Sequence, residues 1–243
     1  MRSNRVYVDI ELLCHQQLQL PAAQSHHLSK VLRMQVGQTV HVFNGAGGYY
    51  RAEIAAVQKR VVVIMLREFI PDEPITGFRI NLAQAISRGR HMDYTIQKAV
   101  ELGVARIMPL VTDHSNINLS EDRLENKLGH WRNIIIAACE QCGRNVLPEI
   151  MTPVAYTDWI AAVSTVPRFM LDPSATAGLA AITPRPAEVT IIAGPEGGFS
   201  ERELDLAATH KTIAVRLGPR ILRTETAAIA AISAVQTLWG DMG

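Results

Sequence analysis

The chain has 243 residues, with 24 Lys and Arg against 23 Asp and Glu, a net charge of +1 and 48% hydrophobic residues. This composition is typical of a globular protein of one or two domains, and it excludes a disordered, collagen-like or strongly basic chain. Three cysteines are too few for a disulfide framework, and no apolar run reaches the roughly 18 residues that a membrane-spanning helix needs. Because the N-terminus also lacks a signal-peptide pattern, we expect a cytoplasmic protein with no membrane partner.

The first 72 residues are predicted to form a small β-barrel. Alternating or β-branched stretches predict strands at 6–8, 39–43, 49–54 and 61–65. A glycine-rich turn at 44–48 separates two of these strands, and one short helix is expected over 24–31. Small β units usually close on themselves, because closure removes exposed strand edges.

A domain boundary is expected at the connector Pro71-Asp72-Glu73-Pro74. Its two prolines fix φ and remove backbone donors, which stiffens the segment. The charge also changes there, because residues 1–72 carry a net +3 and residues 73–243 a net −2. We therefore predict two domains, 1–72 and 73–243.

After the connector, strands alternate with helices. Strands are predicted at 80–86, 107–110, 168–171, 189–193 and 214–217. Helices are predicted at 92–102, from Ser120 to about 142, from 201 onward and over 224–239. This alternation is typical of an α/β domain with a mostly parallel sheet and flanking helices.

Capping signals support three of these helices. Gly103 suits the left-handed position that follows a helix end. Ser120 precedes two acidic residues, which the dipole of the long helix favours in its first turn. Ser200 and Glu203 have the spacing of a capping box, which predicts a helix start.

One glycine-rich loop, at 194–199, follows a predicted strand and precedes a capped helix. Its three glycines let the backbone approach a ligand closely. A phosphate is disfavoured, because Glu196 is acidic and neither G-x-x-x-x-G-K-[ST] nor G-x-G-x-x-G occurs after a strand. Taken alone, a plain strand-to-helix turn explains this loop about as well.

A second loop, at 217–227, also leads from a strand into a helix. It brings Arg220 and Arg223 to the strand end, with Thr224 as the expected N-cap and Glu225 in the first turn. Charges at a solvated helix start would explain one such loop. Two loops at the carboxyl edge of one parallel sheet are expected to face a common ligand crevice.

Five motifs along the chain resemble the SPOUT superfamily of methyltransferases, specifically its 16S ribosomal RNA uridine-N3 methyltransferase family. The motifs lie at 5–7 with 27–34, at 97–104, at 139–144, at 194–199 and at 217–227. The resemblance covers nearly the whole chain. Two positions depart from it, since His114 stands where an arginine is expected and Arg90-His91 occupies a place that is often acidic.

The resemblance implies a SPOUT-type, trefoil-knotted α/β domain after a PUA-like β-barrel, a homodimer, and S-adenosylmethionine as cofactor. The residues that it places around the cofactor are Leu171, Gly194, Pro195, Glu196, Gly197, Gly198, Leu217, Gly218, Ile221, Leu222, Thr224 and Ala227. Backbone groups of these loops would bond the adenine, and the Leu and Ile side chains would enclose it.

The implied reaction is methylation of uridine N3 in 16S ribosomal RNA of the small ribosomal subunit, which requires loss of the N3 proton. Arg223 is expected to stabilise the anion that results, and Glu140 or Glu225 to take the proton directly or through water. Arg144 and Gln141 would orient the base or bind a phosphate.

The implied partner is RNA and not DNA, and the first domain is expected to hold its backbone. The cations predicted to contact RNA are Arg2, Arg5, Lys30, Arg33, Arg51 and Arg144. A solvated surface explains the cations of the first domain about as well. Tyr7, Tyr49 and Tyr50 are possible stacking surfaces, although such tyrosines more often fill a barrel wall.

Other functions stay open from the sequence. Related folds methylate the ribose 2′-oxygen or guanine, and a non-catalytic RNA-binding ribosome-assembly factor would keep the same fold. A nucleotide-dependent oxidoreductase is disfavoured, because the G-x-G-x-x-G pattern is missing. No metal is expected, because Cys139 and Cys142 lack the further ligands that zinc needs.

Overall fold

The computed structural model describes residues 4–59, 61–71, 77–115 and 121–243, without the side chains of residues 121 and 122. The chain divides into two compact units. The first contains residues 1–73 and 139–147, and the second contains residues 74–138 and 148–243. The predicted boundary between 72 and 73, the predicted RNA contact Arg2 and the predicted cap Ser120 all lie outside the described residues.

A five-stranded sheet forms the first unit. Its strands are β1 (Arg5–Tyr7), β2 (Gln17–Gln19), β3 (Thr39–Phe43), β4 (Tyr49–Val57) and β5 (Val62–Ile70). Their order is β1-β3-β4-β5-β2, with β1 and β3 parallel and the other neighbours antiparallel. In the part of the chain that is described, no ladder joins β1 to β2. All five strands contribute to one apolar core around Val40, Ile54 and Leu66, so the sheet curves around that core.

The helix predicted over 24–31 is present, but it has two parts. The α-helix α1 (Ala22–His26) continues into a π-helical turn, His27–Val31, in which Leu32 N donates to His27 O at 2.9 Å. Leu28, in this turn, is fully buried in the core of the unit. Arg33 then takes a positive φ of 53°, which ends the helical path.

The segment 139–147 groups with the first unit, although the sequence places it within the second domain. Glu140 Oε1 accepts from Tyr7 N at 2.9 Å. Arg5 donates to the carbonyl of Arg144 at 3.2 Å and to the side chain of Asn145. These partners are separated by 133 to 140 positions, so chain order does not reveal them.

The second unit is built on a parallel sheet. Its strands are β6 (Arg79–Ala85), β7 (Arg106–Val111), β8 (Glu149–Ile150), β9 (Val154–Ala155), β10 (Arg168–Leu171), β11 (Glu188–Ala193) and β12 (Ile213–Val215). The order is β12-β10-β11-β6-β7-β8, and β9 also pairs with β7. β6 and β11 are central and almost entirely buried, as is typical of the inner strands of a parallel sheet.

Helices connect these strands. They are α2 (Arg90–Glu101), α3 (Glu121–Cys142), α4 (Tyr156–Ala161), α5 (Glu201–Thr209) and α6 (Thr224–Trp239), with a short 3-10 helix at Leu179–Ala181. Helix α2 packs against α6, and α4 packs against α5. Among the described residues, no helix is both long and apolar enough to cross a membrane.

The capping predictions are confirmed at two helices and wrong at a third. Ser200 and Glu203 form the expected capping box of α5, and Gly103 follows α2 with a φ of 85°. The N-cap of α6 is Arg223, and Thr224 is the first helical residue. The prediction for Thr224 fails because its hydroxyl donates to the carbonyl of Gly194 and does not cap the helix.

Candidate active site

A cavity of about 670 Å³ lies in the second unit at the carboxyl ends of β10, β11 and β12. These strands are neighbours in a parallel sheet, so the loops that follow them meet at one edge. The walls come from the loops at 171–173, 194–199 and 215–223 and from the starts of α2 and α6. All twelve residues predicted to surround a cofactor line this cavity.

Glycines shape the loop at 194–199. Gly198 has a φ of 73° and faces open space, since a Cβ there would meet nothing within 4 Å. A Cβ at Gly194 would lie 3.0 Å from the ring of Phe199. Gly198 N donates to Pro195 O at 3.0 Å, which closes a tight turn. The loop therefore exposes backbone to the cavity while packing on its own aromatic residue.

A buried polar relay ties this loop to the central strand and the last helix. Gln84, on β6, is fully buried, and its Nε2 donates to Thr224 Oγ1 at 3.1 Å. Thr224 Oγ1 in turn donates to Gly194 O. Sequence reasoning missed Gln84, because a single glutamine inside a buried strand matches no motif. Its burial within such a strand is the signal that indicates a positioning role.

Two further contacts hold the glycine-rich loop from other parts of the sheet edge. Glu196 Oε1 accepts from the backbone N–H of Arg88 at 3.0 Å. His114 Nδ1 lies 3.0 Å from Gly198 O, and its Cβ is 3.2 Å from the place of a Cβ on Gly197. The departure at His114 thus falls at the cavity loop, where a glycine makes room for the imidazole.

Two of the three predicted catalytic residues lie together in the cavity wall. Arg223 is exposed, and Glu225 lies in the first turn of α6 with 14% of its side chain exposed. Glu225 Oε1 is 3.2 Å from Nδ1 of His91, which also lines the cavity and which sequence reasoning did not assign to the site. A cation, a carboxylate and an imidazole suit the stabilisation of an anion and the movement of a proton.

Glu140, the third predicted catalytic residue, is held inside the first unit. Its carboxylate accepts from the backbone of Tyr7, and it is not among the residues that line the cavity. Burial raises the pKa of Glu140 above its ordinary value. Gln141, predicted to act beside it, is exposed.

The predicted RNA-contacting cations differ in their surroundings. Arg5 is half-buried over the rings of Phe43 and Tyr49, at 4.9 and 5.5 Å from the ring centres. Arg51 pairs with Glu68 at 2.8 Å, whereas Lys30 and Arg33 are exposed and form no ion pair among the described residues. Arg144 is half-buried, and its carbonyl accepts from Arg5.

The three tyrosines considered for stacking all have partners within the first unit. Tyr7 is buried against Phe43, and the hydroxyl of Tyr50 donates to Leu12 O at 2.9 Å. Tyr49 stacks on His41 with ring centres 4.4 Å apart. These contacts agree with tyrosines that fill the wall of a β-barrel.

Comparison with known proteins identifies the class to which this fold and cavity belong. Residues 74–236 match the family described as RNA methyltransferase domain, and residues 20–64 match the RNA methyltransferase PUA domain. The class is therefore RNA methyltransferase. Relatives named ribosomal RNA small subunit methyltransferase E are similar to almost the whole chain at up to 36% identity. The chain belongs to the ribosomal RNA small subunit methyltransferase E family.

Three relatives illustrate the similarity. The protein from Buchnera aphidicola subsp. Schizaphis graminum is 36% identical, over 99% of this chain and 98% of its own. A methyltransferase from Legionella pneumophila, solved with bound SAM, is 38% identical over 99% of this chain and 100% of its own, with a TM-score of 0.94. The enzyme from Neisseria gonorrhoeae, solved with S-adenosylmethionine, is 33% identical over the same shares, with a TM-score of 0.92.

These matches confirm the family that the five motifs indicate. They also confirm the predicted domain types, since the α/β domain with its mostly parallel sheet matches the RNA methyltransferase domain and the β domain before it matches the PUA domain.

Proposed function

We propose that this chain is an enzyme that transfers the methyl group of S-adenosylmethionine to ribosomal RNA of the small subunit. The observation that carries this proposal is the placement of all twelve predicted cofactor residues in the wall of one cavity. Two relatives with TM-scores above 0.9 were solved with this cofactor, which supports the same ligand here.

The residues of the cavity fit S-adenosylmethionine. The volume of about 670 Å³ falls within the 300–1,000 Å³ typical of small-molecule sites. Gly198 and Gly218 have positive φ and leave open space where a Cβ would be, so their backbone can approach a ligand. Leu217, Ile221 and Leu222 offer apolar contact to an adenine. When bound, the cofactor supplies a methyl carbon that its own sulfonium activates.

The target atom that we propose is N3 of a uridine in 16S ribosomal RNA, as the five-motif resemblance implies. This nitrogen becomes a good nucleophile only when its proton leaves, so the site must hold a negative charge spread over the base edge. Arg223 would stabilise that charge with its planar guanidinium. Of the two carboxylates predicted to drive proton removal, Glu225 lines the cavity, and Tyr7 N–H engages Glu140.

We assign RNA binding to the first domain, 1–72, and methyl transfer to the second, 73–243. Lys30 and Arg33 are exposed and form no ion pair among the described residues, so they are available to phosphates. Lys30 lies within the π-helical turn and Arg33 follows it, and such turns are frequent at functional sites. Arg51 is a weaker contributor, since Glu68 already neutralises it.

The remaining properties that the resemblance implies belong to the same proposal. They are a trefoil knot in the second domain, assembly as a homodimer, and activity in the cytoplasm on the small ribosomal subunit.

The proposal is tested with small ribosomal subunits that lack the modification and with methyl-labelled S-adenosylmethionine. The products are digested to nucleosides and analysed by mass spectrometry. We expect the label in 3-methyluridine. Label in a 2′-O-methylated nucleoside or a methylguanosine would keep the enzyme class and change the target. Cofactor binding without any label would contradict the proposed substrate, and the absence of both would favour a non-catalytic assembly factor.

Arg223→Ala tests the proposed stabilisation of the anion. We expect turnover to fall by about 10²–10³-fold, with little change in cofactor affinity, because the guanidinium acts on charge that develops during the reaction. Arg202→Ala is the control, since Arg202 is exposed on α5 and does not line the cavity. Turnover of Arg223→Ala equal to wild type would remove Arg223 from the mechanism.

A further inference from the structure

His91 and Glu225 form a pair in the cavity wall that the sequence motifs do not reveal. His91 lies in the first turn of α2 and Glu225 in the first turn of α6, two helices that pack together. His91 Nδ1 is 3.2 Å from Glu225 Oε1. The imidazole is 43% exposed and the carboxylate 14% exposed, so the pair has a sheltered acid and an accessible ring.

This geometry is that of a carboxylate that orients a histidine. The 3.2 Å between Nδ1 and Glu225 Oε1 is an ion-pair distance, and a carboxylate at this position favours a proton on Nδ1, which leaves the lone pair on Nε2. Among the described residues, no other acidic side chain pairs with the ring. The backbone of His91 is fixed as well, because its N–H donates to Arg88 O and its carbonyl accepts from Thr95 Oγ1. The imidazole is accessible to a ligand in the cavity that His91 lines.

We propose that His91 is the general base of the methyl transfer and that Glu225 positions the imidazole and balances its positive charge. This inference rests on the proposed function. The N3–H proton of uridine passes to His91 Nε2, while the electron pair of N3 forms the new bond to the methyl carbon. The S–CH₃ bond breaks with its electrons going to sulfur, and the neutral thioether leaves. Glu225 then faces an imidazolium, whose charge it balances.

The charged groups around the pair are compatible with this role. Glu225 faces His91 from α6, and the side chains that carry charge in the same cavity wall are Asp172, Glu196, Arg216, Arg220 and Arg223. Arg88, Arg90 and Asp93 adjoin His91 along the chain, and Asp93 pairs with His130 at 2.9 Å. Glu225 is therefore the acidic residue in direct contact with the imidazole. Arg223 is available to stabilise the uridine anion.

The test is the pH dependence of single-turnover methyl transfer with unmodified small subunits and saturating S-adenosylmethionine. We expect the wild-type rate to fall at low pH, because a protonated Nε2 cannot accept the N3 proton of uridine. His91→Asn keeps a donor for Glu225 and cannot titrate. We expect it to lower the rate by about 10²–10⁴-fold and to remove this acidic limb, with cofactor binding retained.

Two other variants complete the experiment. His130→Asn disrupts a similar histidine–carboxylate pair that does not line the cavity, and we expect wild-type rates and the wild-type pH profile. Glu225→Gln should lower the rate by about 10–10²-fold, because the imidazolium that forms loses its counter-charge. If His91→Asn does not fold, the rate of Glu225→Gln tests the proposal instead.

The outcomes separate the inference from the proposed function. If wild type methylates uridine and both His91→Asn and Glu225→Gln keep its rate and pH profile, the role of His91 is overturned. If wild type binds S-adenosylmethionine but forms no 3-methyluridine, the proposed function fails and the inference fails with it.

Discussion

Gln84 and Thr224 show how two polar side chains organise the candidate site. A buried amide or hydroxyl costs free energy unless it is hydrogen-bonded, so a glutamine in the buried strand β6 needs a hydrogen-bond partner. Gln84 donates to Thr224 Oγ1, and Thr224 Oγ1 donates to Gly194 O, so the two bonds join three chain segments at the cavity. The threonine is recognisable in its motif, but its partners are far apart in the sequence and could not be predicted.

Thr224→Val removes both hydrogen bonds of this relay and keeps the shape of the side chain. We expect a loss of about 1–3 kcal/mol in the free energy of unfolding, because Gly194 O and the amide of Gln84 lose a partner. Binding of S-adenosylmethionine should weaken by about tenfold, as the loop is no longer held. Calorimetric titration and urea unfolding measure the two effects.

The matched control is Thr237→Val, on the exposed side of the same helix, where the hydroxyl donates to Ser233 O. We expect cofactor binding to be unchanged there. Equal cofactor affinities for Thr224→Val and wild type would show that the relay does not position the loop.

Helices and strands were predictable wherever local signals are strong. Strand β10 and helix α6 have the predicted bounds, because a short apolar run between turns and a long Ala-rich periodic stretch are unambiguous. Strand β2, Gln17–Gln19, was missed, since two of its three residues are polar and exposed. The π-helical turn at His27–Val31 was predicted as ordinary helix, because residue periodicity does not separate the two forms.

The contact between β1 and the end of α3 gives a prediction on pH. Burial raises the pKa of Glu140 above its ordinary 4.5, so the folded state holds this proton more tightly than the unfolded state. Ionisation of Glu140 therefore destabilises the fold as the pH rises above 4.5. Relative to wild type, Glu140→Gln should gain stability as the pH rises from 4 to 7, as measured by urea unfolding at each pH.

Gln141→Asn serves as the control for this series, because neither residue titrates. Its stability difference from wild type should not change with pH. A stability advantage of Glu140→Gln that grows toward low pH would contradict the sign of the shift.

At the scale of the whole molecule, the sequence predicts which loops meet but not everything that supports them. The alternation of strands and helices places the loops at 194–199 and 217–227 at one sheet edge, and the structure confirms this. His91 and His114 reach the same edge through tertiary contacts that periodicity does not encode. The segment 139–147 groups with the first unit for the same reason.

The proposal that the first domain binds RNA predicts how RNA binding depends on salt concentration. Lys30→Gln and Arg33→Gln should each weaken binding to a small-subunit RNA fragment and reduce the salt slope of log K by about 0.7–0.9, since each removes one phosphate contact. Arg51→Gln should have a smaller effect, because Glu68 already pairs with Arg51. Fluorescence anisotropy at several salt concentrations measures these slopes. Unchanged slopes in both Lys30→Gln and Arg33→Gln would place the RNA on another surface.

The central claim is that the cavity at the ends of β10, β11 and β12 holds S-adenosylmethionine. Ala227 lies in the first turn of α6 and lines this cavity, so Ala227→Phe fills it from a helical position. Ala208→Phe places the same ring on the exposed part of α5, outside the cavity.

Isothermal titration of the three proteins with S-adenosylmethionine tests the claim directly. We predict one bound cofactor per chain for wild type and for Ala208→Phe, and no binding for Ala227→Phe with its fold intact. Wild-type affinity in Ala227→Phe, or no binding by wild type, would contradict it.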